Sequence, residues 1–182
     1  MLTILDPLFK SRNISEITKT RIFEAFVSSI FLYNSELWTV TPTVEKGIDS
    51  FQRRLLRKVI QISWPKIITN KQLYEKTKAK PWSQTIRRRR LTWVGHLMRL
   101  NEETPARRAL DEYLKVSKRP VGHPKLTWWS LVLSDIKKYN NLNVNVESEV
   151  LLFRDLVKLC ADRKAWRQAV KHIMLQCATG MY

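Results

Sequence analysis

Residues 83–100 read SQTIRRRRLTWVGHLMRL and combine a helical apolar pattern with dense positive charge. The apolar positions, at the spacing of one helix face, are Leu91, Trp93, Val94, Leu97 and Met98. At about 100° per residue, the four arginines 87–90 cover roughly 300° of the helix circumference, so they cannot all face solvent on one side. The stretch therefore predicts a long helix in which at least one arginine leans across apolar surface.

Cap signals predict more helices on both sides of this stretch. Thr41-Pro42 and Thr104-Pro105 each pair an N-cap residue with a first-turn proline, and Thr69 to Gln72 has the spacing of a capping box. The expected helices run from Ser15 to Tyr33, from Thr41 to Val59, over a short span from Thr69, from Ser83 to Leu100, from Thr104 to Leu114, from Thr127 to Tyr139 and, as two helices or one kinked helix, from Glu147 to Gln176. Because the chain has only four glycines, hairpins are disfavoured and we predict an all-α fold.

Two of these helices have apolar faces that predict core. In the first, the repeating positions are Ile22, Phe23, Phe26, Val27, Ile30 and Phe31. In the second they are Ile48, Phe51, Leu55, Leu56 and Val59, and the opposite face carries Arg53, Arg54, Arg57 and Lys58. The second helix is therefore predicted to pack on one side and to present cations on the other.

The domain organisation that we predict is two small helical subdomains. A chain of 182 residues has room for them, with one at 1–66 and the other at 67–182, joined near residues 65–82. The seam would be lined by the basic helices of 53–58 and 87–90. A basic loop is expected at about 115–126, because its prolines and glycine cannot continue a helix.

The charge of the chain points to a polyanionic partner. The formal net charge is +17 and the sequence pI is about 10.2, and self-repulsion of this strength needs an anionic ligand to offset it. Residues 53–125 hold twenty Lys/Arg and five Asp/Glu, so 20 − 5 = +15 of the charge lies there. Nucleic acid is the first candidate partner and an anionic membrane surface the second. No apolar stretch is long enough to span a membrane, and no small-molecule substrate is indicated.

The candidate site consists of the cations and aromatic residues of the basic middle region. The predicted nucleic-acid-binding residues are Arg53, Arg54, Arg57, Lys58, Arg87, Arg88, Arg89, Arg90, Trp93, His96, Arg99, Lys118, Arg119, Lys125 and Trp128. Arginine binds phosphate through two parallel hydrogen bonds, and an indole ring can stack on an unpaired base. The simpler alternatives are a solvated arginine face, tryptophans in the core and a core histidine.

The sequence gives little sign of metal or catalytic chemistry. Cys160, His172 and Cys177 are too widely spaced to nucleate a zinc site, and no Gly-rich phosphate loop or nucleophile elbow is present. We therefore expect no metal, no cofactor and no catalytic residue. Two cysteines cannot form a disulfide framework, which fits a reducing intracellular compartment.

Four ordered motifs resemble non-LTR retrotransposon reverse transcriptases, most of all elements that encode an endonuclease plus a reverse transcriptase. The motifs are Leu32-Tyr33-x-x-Glu36-x-Trp38, Phe51-Gln52-x-x-x-Leu56-Arg57-x-Val59, Arg88-Arg89-x-Leu91-x-Trp93-x-Gly95-His96-x-x-Arg99 and Asp162-Arg163-x-x-Trp166-Arg167. The resemblance covers most of the chain, from about Leu8 to Val170. Two departures are Asn34, where the family commonly has glycine, and Gly122-His123-Pro124, where an arginine is expected between glycine and proline.

The resemblance implies a function without catalysis. In the family the polymerase palm and its carboxylates lie upstream of the segment that matches here, so residues up to about Trp64 would be thumb-like helices and the rest a C-terminal nucleic-acid-binding region. We therefore expect a nuclear protein that grips template RNA or target DNA, with the upstream polymerase portion of a related element as a further candidate partner. The alternatives are a polymerase or endonuclease part that is active only with upstream sequence, and a decayed helical protein-interaction module.

Overall fold

A computed structural model describes residues 2–115, 126–137 and 149–179 of the protein, and every regular element in these ranges is helical, as predicted. The helices are α1 (Leu2–Lys10), α2 (Glu16–Phe23), α3 (Ser29–Phe31), α4 (Pro42–Val59), α5 (Asn70–Thr77), α6 (Trp82–Arg99), α7 (Pro105–Lys115), α8 (Trp128–Lys137), α9 (Glu149–Ala161) and α10 (Arg163–Thr179). A π-helical turn, Glu24–Ser28, joins α2 to α3, and a 3₁₀ turn spans Ser35–Leu37. Within the described ranges, no helix is both long and apolar enough to cross a bilayer.

The predicted helix starts at Thr41, Thr69 and Thr127 are confirmed by their caps. The hydroxyl of Thr41 accepts a hydrogen bond from the backbone N–H of Val44 at 3.3 Å. At α5 the capping box is complete, because Gln72 N donates to Thr69 Oγ1 at 3.2 Å and Thr69 N donates to Gln72 Oε1 at 2.9 Å. These caps satisfy backbone N–H groups that have no partner within the helix.

The predicted core stripe of the first long helix is only partly correct. Phe23 is buried, but Phe26 and Ile30 are 53% and 59% exposed. The cause is the π turn, whose i→i+5 hydrogen bonds add one residue to a helical turn and rotate all that follows. The next buried position after Phe23 is therefore Ser28, five residues on, and Leu32 follows four residues later.

Contacts between residues divide the chain into two compact units, each described here by itself. The first unit holds the residues up to Ser35 and then Val40–Ile86, and the second holds Glu36–Thr39 and the described residues from Arg87 onward. The division differs from the boundary that we predicted at residue 66. Helix α5 and the first turn of α6 pack within the first unit, so the basic residues 53–58 and 87–90 fall in different units.

The first unit is organised around Trp82. Its indole ring is buried, lies 4.3 Å from the ring of Phe31 between centroids, and donates from Nε1 to Ser28 Oγ at 3.0 Å. Asp49 of α4 accepts from the backbone N–H of Ser83 at 2.9 Å and from its hydroxyl at 2.6 Å. A carboxylate at this position satisfies the start of α6 and fixes how that helix enters the unit.

The core of the second unit is formed by α6, α7, α8, α9 and α10. Its buried residues are Leu91, Val94, Leu97, Met98, Leu110, Trp129, Val132, Leu133, Ile136, Leu156, Cys160, Trp166, Ala169, Val170 and Ile173. The prediction that Leu91, Val94, Leu97 and Met98 form the core face of the arginine-rich helix is confirmed. Trp93 is half-buried at the edge of this core.

Candidate nucleic-acid interface

The outward face of α4 lines an open hollow of 560 Å³ in the first unit. Three predicted binding residues, Arg54, Arg57 and Lys58, meet there. The other lining residues are Asp6, Lys10, Gln61, Ile62 and Ser63, which the sequence reasoning did not select. We call this surface the α4 hollow. Arg53 is half-buried beside it and donates from Nη2 to Ser50 Oγ at 3.2 Å instead.

Two of the arginines in the α4 hollow are held in place by neighbouring groups. Arg57 donates from Nη2 to Asn70 Oδ1 at 2.8 Å and to the carbonyl of Ile68 at 3.4 Å. The guanidinium carbon of Arg54 lies 5.3 Å from the centroid of the Phe51 ring. A guanidinium that is fixed before it binds loses less side-chain entropy on binding, so the hollow is pre-organised for an anion.

The charge of the α4 hollow favours a ligand with several negative charges. Its lining contains four cations and one carboxylate, giving 4 − 1 = +3. The carboxylate, Asp6, faces Lys10 at 3.9 Å, the outer limit for an ion pair. The sum of +3 already includes the charge of this carboxylate. Hydroxyl and amide groups from Ser63 and Gln61 supply further polar contacts at the rim.

Arg87 and Arg90 require a correction, because their charged groups point into the protein. Arg90 is 1% exposed and donates to Asp135 Oδ2 from Nε at 3.0 Å and from Nη2 at 2.6 Å. Arg87 is 9% exposed, and its Nε lies 2.9 Å from Asp135 Oδ1. Both side chains therefore join α6 to α8, and their burial argues against these two residues as phosphate contacts. As expected, the four arginines do not share one solvent face, because Arg87 and Arg90 are buried.

The remaining predicted residues of α6 lie on its outer face. Arg88, His96 and Arg99 are exposed, and Arg89 is half-buried. The ring of Trp93 lies 5.1 Å from that of His96, measured between centroids. Arg99 also donates from Nη1 to the carbonyl of Cys160 at 3.0 Å, which fixes its position without burying it. This face combines cations with an aromatic pair.

Trp128 forms a contact inside the second unit. The Trp128 side chain is half-buried, and its indole N–H donates to the carbonyl of Glu36 at 2.7 Å. That contact lies within the second unit and gives the residue a structural role there. Lys118, Arg119 and Lys125, together with the basic loop that contains them, lie outside the described residues.

A basic surface that the sequence reasoning missed lies on α10. Arg163, Lys164, Arg167, Lys171 and His172 are all exposed, and residues 163–179 contain no Asp or Glu. The signal in the sequence is the absence of acidic residues over this span. The charge of +15 in residues 53–125 is larger and hides it.

Cys160 is a poor candidate for a metal ligand. Burial raises the pKa of its thiol to about 12, although the nearby Arg99 guanidinium acts in the opposite direction. Zinc binds the thiolate, so a thiol that stays protonated disfavours coordination. Among the side chains that the structure describes, no three His, Cys, Asp or Glu residues come together as a metal site.

Comparisons with known proteins return nothing for this chain. No protein-family model matches the sequence, and no curated protein or solved structure matches it.

Proposed function

We propose that the protein is the nucleic-acid-binding C-terminal part of a non-LTR retrotransposon reverse transcriptase, gripping template RNA or target DNA through phosphates and having no catalytic site of its own. The observation that carries the proposal is the α4 hollow, with its net charge of +3. A phosphodiester chain supplies closely spaced anions that such a surface can neutralise. Its place of action would be the nucleus, and the upstream polymerase portion of a related element is a candidate partner.

Bulk charge supports nucleic acid over a single small anion. The chain carries +17, of which 20 − 5 = +15 falls in residues 53–125, the span that includes the C-terminal part of α4 and all of α6. Neutralising six to ten phosphates makes binding fall by about 10³–10⁵ between roughly 50 and 200 mM salt. A steep salt dependence is therefore the signature expected of this protein.

The contacts of the two buried aspartates, Asp49 and Asp135, support the proposal that catalysis lies elsewhere. Asp49 accepts two hydrogen bonds from Ser83, and Asp135 pairs with Arg87 and Arg90, so both buried aspartates have structural partners. A two-metal polymerase site instead needs carboxylates grouped around Mg²⁺. Primer extension with the purified chain and Mg²⁺ is expected to yield no cDNA, and cDNA synthesis would contradict this part of the proposal.

Reversing two charges in the α4 hollow tests the binding surface. In the variant Arg54→Glu with Lys58→Glu, affinity for a structured RNA at fixed salt is expected to fall at least tenfold. The slope of log affinity against log salt should become shallower by about 2, as two phosphate contacts are lost. Both residues are exposed, and Arg57 is left intact because it holds Asn70. Fluorescence anisotropy at several salt concentrations measures both quantities.

The matched control changes the net charge equally at exposed positions away from the hollow, in the variant Lys46→Glu with Arg108→Glu. It should lose less affinity and keep the parental slope. Equal losses in the two variants would mean that only bulk charge matters and that the hollow is not a site. Recovery of one stoichiometric protein partner after nuclease treatment, with no nucleic-acid affinity, would instead favour a protein-interaction module.

A further inference from the structure

In the second unit, α6 and α10 are joined through the side chain of Trp166. Gly95 allows the approach, because a Cβ atom there would lie 2.1 Å from Nε1 of Trp166. The same Nε1 donates to the carbonyl of Leu91 at 3.0 Å. Two of the motifs that carry the retrotransposon resemblance, separated by more than sixty residues in sequence, meet at this contact.

The contacts also give the direction of the two helices. Arg99, at the end of α6, reaches the carbonyl of Cys160, which precedes α10 by three residues. Leu91, two turns earlier in α6, meets Trp166 within α10. Because moving backward along α6 corresponds to moving forward along α10, the helices run antiparallel.

Helix geometry then puts cations of both helices on the same side of the contact. Arg88 lies three residues before Leu91, and His96 lies one residue after Gly95. In α10 the same offsets from Trp166 fall on Arg163 and Arg167. At about 100° per residue, equal offsets rotate side chains by equal angles, and in an antiparallel pair equal rotations lead to the same side. On this side of the contact, α6 carries Arg88, Thr92, His96 and Arg99, and α10 carries Arg163, Arg167 and Lys171. All of these residues are exposed.

The cations on α10 are placed at a local electrostatic cost. Arg163 and Lys164 occupy the first turn, where the helix dipole disfavours positive charge by about 0.3–1 kcal/mol each. Arg163, Arg167 and Lys171 repeat at i, i+4 and i+8, so neighbours repel one another along the helix. Asp162, just before the helix, accepts a hydrogen bond at Oδ1 from the backbone N–H of Lys164 at 2.7 Å. A bound polyanion would offset the repulsion among the cations of α10.

We propose that the row of exposed cations on α6 and the row on α10 hold between them the phosphodiester backbone of a single unpaired nucleic-acid strand. We call this surface the α6–α10 groove. The inference rests on the proposed function and adds a second surface and a ligand form to it. The exposed cations of α6 and those of α10 lie on either side of the Trp166 contact, so an extended backbone can run between the two rows. The aromatic pair Trp93 and His96 is carried by the same helix and offers ring surface to bases that are not paired.

Charge reversal on α10 tests the groove with little risk to the fold. The variant Arg163→Glu, Arg167→Glu and Lys171→Glu changes exposed residues only. At Arg163, in the first turn of α10, glutamate is the favoured charge. The affinity of the variant for a labelled single-stranded RNA, and for DNA of the same sequence, is expected to fall at least tenfold. The salt slope should become shallower by about 2, since single strands contribute about 0.7 per phosphate. The matched control, Arg12→Glu with Lys46→Glu and Arg108→Glu, should keep the parental slope.

The possible results separate the groove from the proposed function. If the parental chain binds RNA or DNA and the groove variant behaves like the control, the groove is overturned while nucleic-acid binding stands. If the parental chain binds neither strand nor duplex, both fail. Competition by polyglutamate as strong as that by the oligonucleotide would also overturn the groove, because it would indicate an acidic protein ligand. A milder variant with glutamine in place of Arg163, Arg167 and Lys171 should lose about half as much binding free energy as the variant with three glutamates. Circular dichroism checks that the variant is folded.

Discussion

Replacing Asp135 by alanine is expected to destabilise the second unit by about 3–5 kcal/mol, because it leaves the guanidinium groups of Arg87 and Arg90 buried without their carboxylate. A domain of about 60–100 residues shifts its melting temperature by roughly 4–8 °C per kcal/mol. Thermal unfolding followed by circular dichroism should therefore show a loss of more than about 10 °C.

Two control variants sharpen this prediction. Asp6→Ala breaks the exposed pair with Lys10 and should cost at most about 1 kcal/mol. Replacing the buried triad as a whole, with Arg87→Met, Arg90→Met and Asp135→Leu, should cost much less than Asp135→Ala, since no charge is left unpaired. If Asp135→Ala lowered the melting temperature no more than Asp6→Ala does, the guanidinium groups of Arg87 and Arg90 would be reaching solvent. The two residues would then be candidate phosphate contacts again.

Replacing Gly95 by alanine is expected to destabilise the second unit by about 3 kcal/mol, the upper end of the usual overpacking penalty. The new methyl group would overlap the indole of Trp166, which is buried and bonded to the carbonyl of Leu91, so the ring cannot move aside without losing a hydrogen bond. Chemical denaturation followed by tryptophan fluorescence measures the change in the free energy of unfolding.

Gly47 provides the matched control, because it also lies inside a helix but has no heavy atom within 4 Å of an added Cβ. Gly47→Ala should stabilise the protein by up to about 1 kcal/mol through helix propensity alone. The double variant Gly95→Ala with Trp166→Phe should lose less stability than the sum of the single variants, since the smaller ring makes room. Stabilisation by Gly95→Ala would mean that α6 and α10 are not in contact at this point.

Local chemistry in the sequence was enough to predict most helix boundaries. Thr41-Pro42, Thr69 to Gln72 and Thr104-Pro105 each mark a start that the structure has, because a cap depends on residues within one turn. Helix α1 was not predicted and contains Pro7. The exposure of Phe26 and Ile30 was not predictable from 3.6-residue periodicity, because one π turn changes the repeat.

The candidate site was harder to predict, because its decisive contacts are distant in sequence. In the sequence, nothing distinguishes Arg87 and Arg90 from Arg88 and Arg89. Folding brings Asp135, which is 45 residues from Arg90, into contact with the first two. Sequence reasoning did select Arg54, Arg57 and Lys58, since their cations fall opposite the apolar face of α4. It could not bring Lys10 to them or assign the cations of α10 to a groove, because both depend on tertiary packing.

Binding of the whole chain to nucleic acid is the central claim, and fluorescence anisotropy tests it most directly. The purified protein would be titrated against a structured RNA, a single-stranded DNA and a DNA duplex at salt concentrations from about 50 to 200 mM. We predict submicromolar binding to at least one of them, with a steep negative dependence on salt. Absence of binding to all three even at about 50 mM salt would contradict the proposal and would assign the charge of +17 to a different partner.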